Sequence, residues 1–134
     1  MLKYVITADF ENWERISEEI VEYLTEMDYN RRNIISFMVA AEEIFVNIAQ
    51  YAYGGKTGKV EVRFDISADG TAKIEFWDNG IKFDPTKAKE PLISASIREK
   101  DIGGMGIYMA KKKTDAMLYE YKNGRNHLTV LKKL

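Results

Sequence analysis

Apolar and polar residues recur along this chain with two different periods, and the changes of period divide it into strands and helices. Residues 3–9 are rich in β-branched and aromatic side chains and end at Asp9, a good helix N-cap, which predicts a first strand. Over residues 10–27 the apolar positions Trp13, Ile16, Ile20, Tyr23, Leu24 and Met27 recur every three or four residues. Acidic residues fill the other face, as in an amphipathic helix. A second and longer helix is predicted from Asn30 or Arg31 to about Tyr51, with Ile34, Met38, Ala41, Phe45, Ile48 and Ala52 on one stripe. At about 100° per residue, Ile35, Val39 and Val46 fall away from that stripe, so this helix is apolar on two sides and is predicted to be largely buried. Ser36, Glu43, Asn47 and Gln50 form a narrow polar strip between the apolar faces, with Glu43 and Asn47 one turn apart.

Residues 60–66 and 71–77 alternate apolar and polar about the turn Ala68-Asp69-Gly70, which predicts a hairpin. Asp78-Asn79-Gly80 follows at the strand end, where glycine lets the backbone turn or approach a ligand closely; alone, the string reads as a turn. Residues 86–102 lack periodicity, hold Lys87, Lys89, Arg98 and Lys100, and are too long for an ordinary connector. The segment is either a mobile lid or a surface loop with solvated charges. Gly103, Gly104 and Gly106 then open a helical pattern, which sets glycine amides at a helix N-terminus, a place that favours anions. No Gly-Lys-Ser or Gly-Lys-Thr follows, which separates this stretch from the lysine-containing phosphate loop. Residues 116–122 and 127–131 predict a closing hairpin about Asn123-Gly124. Together these elements predict one domain over residues 1–134, an α/β two-layer sandwich. Its mostly antiparallel mixed sheet of about five strands carries helices on one face.

Composition narrows the function classes. At 134 residues, with 46% hydrophobic and 31% charged residues and a net charge of -1, the chain has enough apolar mass for one core and no basic field for nucleic acid. The absence of cysteine removes disulfides and thiol chemistry. No signal-like start and no apolar run of about 18 residues stands out, so the expected setting is cytoplasmic, without a membrane partner. His127 lies in an alternating run and reads as a strand-face residue rather than a metal ligand.

Three segments far apart in the chain make sense together. Glu43-Ile44-Phe45-Val46-Asn47, then Asp78-Asn79-Gly80-Ile81-Lys82-Phe83-Asp84-Pro85, then Gly103-Gly104-Met105-Gly106-Ile107-Tyr108-Met109 resemble, in this order, the N, G1 and G2 boxes of the GHKL ATPase superfamily. With the small size and the closing stretch from Gly103 to Asp115 and Asn126 to Thr129, the chain is similar to the stand-alone anti-sigma factor and serine-protein kinase branch. Each string alone is common; three in register are specific. The resemblance implies a Bergerat-type ATP-binding fold with ATP and Mg2+ as cofactors. It implies that Asn47 coordinates magnesium, and that Glu43 is the general base aligning a serine hydroxyl or a water. Asp78 would accept a hydrogen bond from the exocyclic amine of adenine, Gly80 would leave room for the base, and Thr129 would assist Asp78 directly or through water. Gly103, Gly104 and Gly106 would wrap the phosphates, and Arg98 or Lys100 would either neutralise the terminal phosphate or remain solvated. One position departs from the branch: Tyr51 stands where a histidine is often found.

Two functions follow from the resemblance. One is a serine/threonine protein kinase that binds a sigma factor and phosphorylates a small antagonist protein. The other is an ATP-dependent partner-binding switch in which Glu43 is silent. The branch also implies a homodimer, with Tyr4, Trp13 and Tyr23 available either as contact residues or as core.

Overall fold

The computed structural model describes residues 1–87 and 104–134. Its elements are β1 (Leu2–Thr7), α1 (Phe10–Glu26), α2 (Arg31–Asn47), β2 (Lys59–Ile66), β3 (Thr71–Asp78), α3 (Gly104–Lys113), β4 (Ala116–Lys122) and β5 (Arg125–Lys133). A π-helical turn, Ile48–Ala52, continues α2, and a 3-10 turn, Pro85–Lys87, lies beyond β3. The five strands form one sheet in the order β1-β2-β3-β5-β4, and every neighbouring pair is antiparallel.

Local chemistry sets the helix starts. The carboxylate of Asp9 accepts from the backbone N–H of Asn12 at 2.9 Å, and the side chain of Asn30 accepts from Asn33 N–H at 3.0 Å. Each bond satisfies one of the backbone donors left open at a helix N-terminus. After α1, Asp28 takes a left-handed backbone with φ 63°, which turns the chain toward α2.

The period of two along the strands sends Val60, Val62, Phe64, Ala72, Ile74, Phe76, Leu128 and Val130 to one face, where the buried stripes of α1 and α2 cover them. Trp13 is fully buried between the layers. Its ring stacks on Phe45 with centroids 5.0 Å apart, lies 6.0 Å from Phe76, and its indole N–H donates to Glu42 at 3.2 Å. Of the three aromatic residues predicted as contact or core, Trp13 is therefore core, whereas Tyr23 is 40% exposed and Tyr4 is half-buried, donating to Glu19 at 2.6 Å.

The expectation that α2 is largely buried holds only for its sheet-facing side. Ile35 and Val39 stay 49% and 38% exposed, because the sheet covers α2 from one side only. Arg31–Ala52 is long and apolar enough by length and composition to cross a membrane. Here its apolar stripe is part of the core, with Ile34, Phe37, Ala41 and Phe45 buried among the sheet residues.

On the other face of the sheet, His127 stacks on Trp77 with centroids 3.5 Å apart, its Nε2 lies 2.7 Å from the Glu75 carboxylate, and Arg63 and Arg125 lie over the Trp77 ring. His127 is a strand-face residue, as its alternation predicts. Because Phe45 is fully buried and stacked on Trp13, Phe45→Ala is expected to lower the unfolding free energy by about 3–5 kcal/mol. Urea unfolding measures this, and a loss below about 1 kcal/mol would contradict the packing described.

Candidate nucleotide site

The site is built where α2 ends beside the end of β3. Asn47 is the last residue of α2, and the wider π-helical turn that follows carries Tyr51 and Ala52 toward the chain leaving β3. There the Ile81 N–H donates to the Ala52 carbonyl at 2.7 Å. A Cβ on Gly80 would lie 2.2 Å from that same carbonyl oxygen, so only glycine permits the two backbones to meet. The space that Gly80 provides is taken by Ala52, not left open for a base as the resemblance implies. Tyr53 secures the same junction: its hydroxyl accepts from Asn79 N–H at 3.1 Å and donates to the Lys59 carbonyl.

Asp78 closes β3 on the core face, in step with Ile74 and Phe76, and is 5% exposed. Two donors meet its Oδ1 at 2.9 Å each, the Gly80 N–H and the Asn126 side-chain amide. Burial raises the pKa of Asp78 above the ordinary carboxylate range, while those two hydrogen bonds and the charge of Arg125 act against the rise. The Asn126 amide also donates to the Ile81 carbonyl at 2.9 Å, and its Oδ1 accepts from the Tyr119 hydroxyl at 2.5 Å and the Phe83 N–H at 3.2 Å.

Asn47, Asp78 and Asn126 all line one cavity of about 300 Å3, at the small end of the range for ligand pockets. Ile44, Ile48, Ala52, Ile81, Phe83 and Leu128 supply its apolar walls, and Tyr51 and Tyr119 also face it. Apolar walls with a few directed polar groups suit a flat heterocycle better than a fully hydrated ligand. Among the described residues no group of three or more His, Asp or Glu is placed to hold a metal ion. At its α2 end the cavity offers a hard cation the side chain of Asn47, whose amide oxygen fits magnesium when phosphate and water complete the shell.

The other predicted residues fall as follows. Glu43 stands off the cavity wall, one turn before Asn47, where its carboxylate faces α3; a Cβ on Gly106 would lie 2.1 Å from Glu43 Oε2. Gly104 and Gly106 lie in the first turn of α3, while Gly103, Lys89, Arg98 and Lys100 lie outside the described residues, with most of the predicted lid.

Thr129 is not brought to Asp78. It sits in β5 opposite Glu75, and its hydroxyl lies 3.3 Å from His127 Nε2 on the outer face of the sheet. The strand period decides this: Asn126, Leu128 and Val130 share the core face, and Asn126 is the residue in register with Asp78. That same parity in Asn126-His127-Leu128-Thr129-Val130 was the signal by which Asn126 could have been found. Tyr53 had no comparable signal, because its partner Asn79 comes from a distant segment.

The fold is a two-layer sandwich with an apolar-walled cavity between the end of the second helix and a buried strand-end carboxylate. The model of the histidine kinase-like ATPase domain matches residues 6–132, and the chain belongs to that family, whose ligand is ATP. It is similar to the serine/threonine-protein kinase BtrW of Bordetella bronchiseptica, 36% identical over 103 residues that cover 76% of this chain and 72% of that protein. Among solved structures it is similar to the RsbU and RsbW domains of Rv1364c from Mycobacterium tuberculosis, with a TM-score of 0.67 and 16% identity. That likeness covers 100% of this chain and 33% of the other, so the chain spans about a third of that protein's length. It is also similar to the SiaB-SiaC complex from Pseudomonas aeruginosa, with a TM-score of 0.66, 16% identity, and coverage of 98% and 89%. At these identities the two structures show the shared fold, an open five-stranded antiparallel sheet with three helices.

The raised pKa of Asp78 has a direct consequence for stability. Folding favours the protonated form, so the ionised carboxyl costs stability once the pH rises through its folded-state pKa. Asp78→Asn keeps an oxygen for the Asn126 and Gly80 donors and removes the charge. It is expected to unfold at higher urea than the parent protein at pH 7, with the advantage shrinking toward the ordinary carboxyl pKa of 3.8. An Asp78→Asn variant less stable at pH 7 would count against a buried, ionised carboxylate here. Gly80→Ala is expected to lose about 1–3 kcal/mol, because the Ala52 carbonyl must move; an unchanged melting temperature would refute the contact.

Proposed function

We propose that this protein binds ATP with magnesium in the cavity and transfers a phosphoryl group to a serine or threonine of a partner protein. The observation that carries this reading is that Asn47 and Asp78, 31 residues apart in the chain, line the same apolar-walled cavity. Kinase activity draws support from the similarity to BtrW, a serine/threonine-protein kinase. Asp78, ionised, would accept from the exocyclic amine of adenine, and the apolar walls would cover the ring. The Asn47 amide oxygen would hold the magnesium ion, which when bound supplies positive charge to the phosphate oxygens. Gly103, Gly104 and Gly106 would offer backbone amides to the phosphates. Glu43 would act as general base, aligning the attacking hydroxyl, in a reaction where positioning and charge stabilisation supply most of the rate.

The partners proposed are a sigma factor, which the protein would hold away from RNA polymerase, and a small antagonist protein that receives the phosphate. The fold shared with SiaB-SiaC, a two-protein complex, is consistent with a protein that binds a partner. A cytoplasmic homodimer is the form proposed for it. One observation favours a second reading, a switch that exchanges partners on ATP binding without transfer. Glu43 stands off the cavity wall, and Tyr51 lines it at the position where the branch often has histidine.

Calorimetric titration tests the site. ATP is expected to bind more tightly with magnesium than without it, and Asn47→Ala is expected to abolish that difference. Absence of adenine nucleotide binding by the parent protein would overturn the function. Transfer of labelled phosphate to a co-purified partner separates the two readings. Glu43→Gln is expected to keep ATP affinity and slow transfer by about 10²–10⁴. Gly106→Ala, whose Cβ would displace the Glu43 carboxylate, is expected to slow transfer in the same sense. If the parent protein binds ATP, exchanges partners and never labels one, the switch reading holds instead.

A further inference from the structure

The Asn126 amide can sit in only one orientation. Its Oδ1 receives the backbone N–H of Phe83, a group that only donates, and the hydroxyl of Tyr119. Its Nδ2 is therefore turned to the Asp78 carboxylate and the Ile81 carbonyl, both of which accept. Burial also raises the pKa of Tyr119, which keeps its phenol a donor through the neutral range. At Asp78 the consequence is asymmetric. Both donors, Gly80 N–H and Asn126 Nδ2, meet Oδ1, and among the described residues none meets Oδ2.

Oδ2 is thus the oxygen that a ligand in the cavity would meet, and it is also where a proton would go. An ionised Asp78 presents an acceptor there and matches an amine at position 6 of a purine. A protonated Asp78 presents a donor and matches a carbonyl at that position. One carboxyl can therefore select opposite bases, and what holds it in the charged form decides between them.

We infer that Asn126, oriented by the Phe83 N–H and the Tyr119 hydroxyl, is a positioning residue that sets the base preference of this pocket by committing Asp78 Oδ1 and leaving Oδ2 as an acceptor. This inference rests on the nucleotide function proposed above. Gly80 donates through its backbone, which side-chain substitution leaves in place, so Asn126 is the side chain on which the preference turns. Among the described residues, the other charged or titratable groups facing this corner are Arg125, whose charge favours the ionised form, Tyr51 on the cavity wall, Lys82 at the cavity rim, Tyr53 through Asn79, and Asp84 beside Tyr119. Lys82 and Arg125 also have aromatic partners, the rings of Tyr121 and Trp77.

The test compares ATP with inosine triphosphate, which exchanges the amine at position 6 for a carbonyl, by calorimetry between pH 5.5 and 8.5. The parent protein, Asn126→Asp and Tyr119→Phe are titrated, with a thermal melt on each. The parent is expected to prefer ATP and to lose the preference on acidification. Asn126→Asp replaces the donor facing Asp78 with a second carboxyl. Its preference for ATP at pH 7 is expected to fall by about tenfold or more, with the loss setting in at higher pH. Tyr119→Phe removes one of the two donors to Asn126 Oδ1 and leaves the Phe83 N–H, which loosens the amide without turning it, and is expected to move both readouts in the same direction by less. If folded variants keep the parent's ATP-to-inosine ratio and pH profile, the inference is overturned while the nucleotide site stands. If the parent binds neither nucleotide, both fall. Should Asn126→Asp fail to fold, Tyr119→Phe alone decides.

Discussion

A carboxylate buried at the end of a central strand is unstable unless donors meet it, and the arrangement around Asp78 meets that requirement with groups from two places in the chain. Gly80 supplies a backbone N–H two residues on, and Asn126 supplies an amide from the neighbouring strand. Asn126 reaches Asp78 only in the observed register of β3 with β5, where the two residues are opposite each other. A slip of one residue would turn Asn126 to the outer face and bring Arg125 or His127 to the core. The hydrophobic pairs Phe76 with Leu128 and Ile74 with Val130 hold that register, so the packed sheet is what positions the polar site.

The same joint ties the sheet to the second helix. Gly80 meets Ala52 backbone to backbone, and Ala52 ends the π-helical turn that follows Asn47. The two ends of the cavity, the amide of Asn47 and the carboxylate of Asp78, are thereby set by one rigid contact rather than by a loop. Rigidity of this kind favours binding, because little ordering remains when a ligand arrives. Its stability cost is concentrated in Asp78, whose ionised form folding disfavours and whose charge the proposed function requires.

Much of the fold was legible because the core uses two clean periods. Alternation in residues 60–66 and 71–77, and apolar spacing in residues 10–27, lead to β2, β3 and α1 within a residue or two at each end. The π-helical turn was not legible, since the apolar stripe through Ile48 and Ala52 reads the same whether the backbone winds by four or by five residues. Burial of both sides of α2 was over-read for a related reason. Periodicity reveals an apolar face but not whether anything covers it, and Ile35 and Val39 are left exposed. Within the site, Asn47 and Asp78 were singled out by three strings in register rather than by any one of them, and both line the cavity. Thr129 was misplaced because the resemblance outweighed the parity that ties Asn126, not Thr129, to the core face. Steric facts such as the fit of Gly80 against Ala52 depend on contacts between distant segments, which no local pattern encodes.

In the proposed function, nucleotide enters the cavity between the end of α2 and the end of β3. Titration of isotope-labelled protein with ATP and magnesium, followed by amide resonances, tests it most directly. Large shifts are expected for the side-chain amides of Asn47 and Asn126 and the backbone amides of Gly80 and Ile81, with the indole N–H of Trp77 on the outer sheet face little changed. Shifts centred on Trp77 and its outer-face neighbours, with the Asn47 and Asn126 amides unmoved, would contradict it.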